Sequence, residues 1–113
     1  MGPGFNLLFL FIFSGVLFVV FGIPLKQGRV PPNRFYGFRT PRTLTNETVW
    51  YAVNRVTGAD MVASGIAIIA VSLVMMALRG FITPDAAIMV VLATMIASAL
   101  YMAIHGFMAL RKL

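Results

Sequence analysis

Arg39 and Arg42 stand three residues apart, with Thr40 and Thr43 beside them and Pro41 between. Two planar guanidinium forks next to two hydroxyls suit a phosphate or a carboxylate. Two readings stand for this group. In one, Arg39, Thr40, Arg42 and Thr43 grip an anionic ligand: a lipid headgroup, a polyprenyl phosphate or an acidic partner segment. In the other, Arg39 ties its loop to helix ends or to Glu47 and Asp60. Asn33, Tyr36, Gly37, Trp50 and Asn54 complete the candidate site. Gly37 is expected where the backbone tolerates only glycine. Trp50 reads as an anchor at a membrane interface, and Asn54, if buried, needs hydrogen bonds that the preceding loop can supply. The stretch 33–58 holds four of the nine basic residues, the single Trp, two of the three Tyr and one of the three acids.

A second set of polar residues lies in apolar surroundings. Thr94, Ser98, Tyr101 and His105 follow at spacings of four, three and four, which is one face of one helix. Asp60 and Ser64 make a shorter pair on another helix. Ionisable groups inside spans are functional hypotheses by default. One reading is a small polar cavity open to the cytoplasm, with His105 as its proton-sensitive member. The other is hydrogen-bond glue between helices.

Other chemistries are excluded. With no Cys and one His, neither a Cys–His nucleophile pair nor a multi-His metal site can form. Glu47, Asp60 and Asp85 are too scattered for a carboxylate pair, and no Gly-rich phosphate loop is present. No cofactor is expected. Enzyme activity is not expected either, although a single Arg/His/Asp headgroup site stays open.

The elements that position these residues follow from composition. The chain has 113 residues, 60% of them hydrophobic and only 11% charged. Soluble domains carry about 25% charged residues, and a chain this short has too much surface to hide the difference in a core. Lipid is the consistent solvent. Apolar runs at 5–23, 61–78 and 84–110 are long enough to span it. The first is bounded by Pro3 and Pro24, and Gly15 and Gly22 share one face of it that could admit a neighbouring helix closely. A cleaved signal peptide is the rival for this run, but no basic residue precedes it.

Pro24 to Thr45 is expected to be a loop, and three Pro and one Gly within 24–34 argue against helix there. A helix is expected to start near Thr45 or Asn46, with Glu47 in its first turn. It covers about 46–58 and is either interfacial or continuous with the second span. Thr83, Pro84 and Asp85 mark the start of the third span. The expected fold is an all-α membrane protein: one domain, 1–113, a bundle of three transmembrane helices with an amphipathic cytoplasmic segment, 24–60, between the first two. Ala63, Ala67, Ala93, Ala97 and the glycines are expected at helix contacts.

The net charge of +6 is explained by topology rather than by nucleic acid. Lys26, Arg29, Arg34, Arg39, Arg42, Arg55, Arg111 and Lys112 fall on one side of the expected spans, and Arg79 alone on the other. The imbalance predicts an inner-membrane protein with its N-terminus outside and its C-terminus in the cytoplasm.

The pattern Asn33, Tyr36-Gly37-Phe38-Arg39-Thr40, Arg42-Thr43, then Trp50, Asn54 and Gly58 resembles the signature of the SdpI family of bacterial integral membrane proteins. That family includes an immunity protein that protects a bacterium from its own secreted killing peptide and holds a transcriptional repressor at the membrane. The resemblance implies immunity to, or sensing of, a membrane-active peptide. Membrane lipids, a peptide toxin or a cytoplasmic protein would be its partners, and self-association is plausible for so thin a bundle. Two alternatives remain at this point: a protein that binds or handles an anionic lipid, as binder, flippase or headgroup enzyme, and a small transporter using the Thr94–His105 stripe.

Overall fold

The computed structural model describes residues 4–113. Pro3, expected to bound the first span, lies outside the described residues. Four helices follow in order: α1 (Leu7–Lys26), α2 (Pro41–Thr45), α3 (Glu47–Ala77) and α4 (Pro84–Arg111). α1, α3 and α4 are each long and apolar enough to cross a membrane. The molecule measures 51 × 22 × 18 Å, as helices standing side by side require.

α3 is the central element. It lies antiparallel to α1 on one side and to α4 on the other. α1 meets α3 through glycines: a Cβ at Gly15 would sit 2.8 Å from the Gly65 carbonyl oxygen, and one at Gly22 2.9 Å from that of Gly58. Lipid tails are as apolar as leucine, so close backbone approach replaces hydrophobic driving force at such contacts. α1 and α4 come together near their N-terminal ends. There Phe5, Leu8, Ile68, Ala87 and Val91 form a buried cluster.

The structure corrects several expectations. Pro24 does not end α1, which runs on to Lys26. Proline lacks only its own N–H, and the turn after it closes normally: Gln27 N–H reaches the Ile23 carbonyl at 3.0 Å. Gly28, at φ +72°, stops the helix, and Arg29 N–H then bonds the Pro24 carbonyl at 3.0 Å.

The segment expected to be loop throughout contains α2. Thr40 caps it by accepting the Thr43 N–H while the Thr43 hydroxyl accepts the Thr40 N–H, and Pro41 occupies the first turn. Asn46 caps α3 through the Val49 N–H, as expected. The helix from Glu47 is continuous with the second span, which answers the question left open by the sequence. α4 begins at Thr83, whose hydroxyl accepts the Ala86 N–H at 3.2 Å.

Ala63, Ala93 and Ala97 are exposed rather than packed. α3 and α4 meet on either side of this stretch, at Asp60 with His105 and in the cluster of Ile68, Ala87 and Val91.

Candidate functional site

The longer α3 leaves its first three turns standing beyond the end of α1, and the segment 28–46 folds over them as a cap. Asn33 opens an Asx turn, accepting N–H bonds from Phe35 at 2.8 Å and Tyr36 at 3.0 Å. The Tyr36 ring then rests edge-on against Phe21 of α1, with centroids 5.5 Å apart. Burial pushes its phenol above the ordinary tyrosine value. Gly37 has φ +118°, a region for glycine, and it also lies against the Asn54 amide and the Trp50 ring.

Trp50 is fully buried, and its indole N–H donates to the Val30 carbonyl at 2.8 Å. It is a core residue of the cap, not the interfacial anchor expected from sequence. Asn54 receives the loop as expected, accepting the Phe38 N–H at 2.6 Å and donating to the Phe38 carbonyl. Buried Thr43 donates its hydroxyl to the same carbonyl at 3.0 Å. The Phe38 ring packs into the notch left by Gly106 and stacks edge-on with Phe107, 5.0 Å away, so the cap also holds α4.

Arg39 reaches the Arg34 carbonyl, and Arg42 the Leu110 carbonyl at the end of α4, at 3.0 Å. The second contact suits the negative end of the helix dipole. Neither arginine pairs with Glu47 or Asp60. Asn33, Gly37, Thr40, Thr43, Trp50 and Asn54 thus serve the cap's own architecture, and the arginines present its charge.

Lys26, Arg29, Arg34, Arg39, Arg42, Arg55, Arg111 and Lys112 are all exposed at this end. Among the described residues none of them forms an ion pair, the one such contact being His105 with Asp60.

That contact lies just inside the cap. Asp60 is buried, and its Oδ2 lies 2.7 Å from His105 Nδ1 across the α3–α4 interface. Tyr101 stands over the imidazole with ring centroids 5.3 Å apart. Beyond the pair, a groove of about 430 Å³ lies between α3 and α4. Asp60, Ala63, Ser64 and Ala67 line one wall; Thr94, Ala97, Ser98 and Tyr101 line the other. The two polar stripes read from sequence therefore face each other. Thr94 returns its hydroxyl to the Val90 carbonyl at 2.9 Å. The hydroxyls of Ser64, Ser98 and Tyr101 make no hydrogen bond among the described residues. Sequence reasoning took the alanines for contact residues, and did not find the Val30, Gly106 and Leu110 partners of the cap. Gly106, a missing side chain within an apolar run, was the available signal.

The three helices and the folded cap define a polytopic helical membrane protein. Residues 29–105 match the SdpI/YfhL protein family, and the chain belongs to that family. The match begins at the loop and ends at His105, so it covers the cap and both walls of the groove. Searches of curated proteins and of solved structures found no match.

Proposed function

We propose that the protein gives immunity to, or senses, a membrane-active peptide that enters the α3–α4 groove from the bilayer. The cationic cap, on the cytoplasmic side of the inner membrane, is its readout or scaffold. One observation carries the reading: a groove of about 430 Å³ opens beside the buried Asp60 carboxylate within the spanning helices. His105 partners one oxygen of that carboxylate, and an ionisable group inside a span is a functional candidate by default. Family membership supports the same reading.

The test is protection. Cells of a sensitive bacterium expressing the protein should survive a membrane-active peptide that kills cells carrying the empty vector. Ala97→Leu, which fills the groove at an exposed position, should abolish the protection at equal membrane levels. Equal survival with and without the protein, across a panel of such peptides, would refute the reading.

A second reading is favoured by the unpaired cations at the capped end: the cap binds anionic headgroups. It predicts that Arg39→Ala lowers the amount of anionic lipid purified with the protein. The immunity reading predicts altered protection with lipid content unchanged.

A further inference from the structure

We infer that the α3–α4 groove binds a primary ammonium group carried on an apolar chain. This rests on the reading of the groove as a docking site and names the chemistry that site accepts.

The side chains are graded along the groove. Asp60 and Tyr101 lie at its capped end; Ala67 and Thr94 lie two turns deeper into the spans. An amphiphile in the bilayer is oriented the same way, with its head toward the interface and its chain toward the centre. Asp60 has one oxygen, Oδ2, on His105, which leaves Oδ1 for a ligand. Ser64 is 6% exposed, and its hydroxyl lies on the groove wall without a protein partner. Ser98 and Tyr101 add two more free hydroxyls opposite.

An ammonium with three N–H donors can bond the carboxylate and hydroxyl oxygens together, whereas a quaternary ammonium can donate to none. A carboxylate ligand would face the like charge of Asp60. His105 occupies only Oδ2, and Lys112 lines a separate pocket on the other side of His105. Ala63, Ala67 and Ala97 leave the width that a hydrocarbon chain fills.

The test uses the whole protein in phosphatidylcholine nanodiscs, with empty nanodiscs as reference, titrated calorimetrically with dodecylamine, dodecyltrimethylammonium and laurate. Dodecylamine should bind saturably and roughly tenfold or more tightly than its trimethyl analogue, the scale of a hydrogen bond to a charged group. Laurate should not bind above the reference. Asp60→Asn retains an acceptor for His105 but loses the charge, and should weaken amine binding about tenfold or more. Ala97→Leu leaves the carboxylate in place and should weaken it comparably. Because Ala97 is exposed, that variant carries the test if Asp60→Asn fails to fold.

Amine binding no better than to empty nanodiscs, binding unchanged in both variants, or equal affinity for the trimethyl analogue or laurate would overturn the assignment. Absent amine binding with intact protection of cells would refute the ammonium chemistry alone. Amine binding by a protein that protects no cell would refute the immunity reading alone.

Discussion

Asn54 and Phe38 exchange two hydrogen bonds, side-chain amide to backbone amide, at 2.6 Å and 3.3 Å. The pairing joins the loop to α3 as one strand joins another, with a single side chain standing in for the second backbone. Asn54→Leu matches the volume but can neither donate nor accept. It leaves the Phe38 N–H unpaired, at about 1–3 kcal/mol, while the Phe38 carbonyl keeps the Thr43 hydroxyl. Trypsin should then cut at Arg34 and Arg39 faster than in the parent protein, with the helical circular-dichroism signal of the spans unchanged. Asn54→Asp keeps the acceptor for Phe38 N–H and should fall between the two. Equal cleavage rates in all three would show that the loop is held elsewhere.

Trp50 separates ring from hydrogen bond. Trp50→Phe keeps most of the buried ring but loses the donor to the Val30 carbonyl. It should cost about 1 kcal/mol. Trp50→Ala empties a fully buried site and should cost about 3–5 kcal/mol. Thermal unfolding in detergent reads the order: parent, then Phe, then Ala.

The glycine seam between α1 and α3 predicts a steep positional contrast. A Cβ at Gly65 would lie 2.5 Å from the Gly15 carbonyl oxygen, whereas one at Gly80 would meet nothing within 4 Å. Gly65→Val should lower the unfolding temperature sharply by forcing the helices apart. Gly80→Ala should change stability by no more than about 0.5 kcal/mol, as surface substitutions do. Similar shifts for both would mean that the seam is not a tight contact.

The proposed cytoplasmic placement of the cap predicts opposite labelling of two exposed positions. The chain has no native Cys, so single cysteines report cleanly. Gly80→Cys should react with an impermeant maleimide on intact cells, and Thr48→Cys only after the membrane is opened. The reverse pattern would turn the protein over.

The spans were legible because membrane helices announce themselves through length and apolarity. The third was the clearest, since Thr83, Pro84 and Asp85 carry the whole start signal within three residues. The stripe Thr94, Ser98, Tyr101 and His105 was legible for a related reason: polar side chains stand out against hydrocarbon. That it faces Asp60 and Ser64 depends on helix pairing, which periodicity does not encode.

Pro24 misled because one missing N–H at the last turn of a helix is tolerated when the following amides find partners. The role of Trp50 was hidden because an aromatic near a membrane interface and an aromatic buried in a cap share the same neighbours in sequence. Ala63 and Ala97 were misjudged for a physical reason as well. Small side chains allow close packing but do not compel it. Here Ala63 and Ala97 line an open groove between α3 and α4 instead.

The claim that the groove receives the peptide is tested most directly by photo-crosslinking in cells that the protein protects. A photoreactive side chain replaces Ala97, on the groove wall, or Ile96, which is 62% exposed and does not line the groove. The account predicts a crosslink to the challenging peptide from position 97 that excess unlabelled peptide competes away, and none from position 96. Equal crosslinking from both positions, or none from 97 while protection persists, would contradict it.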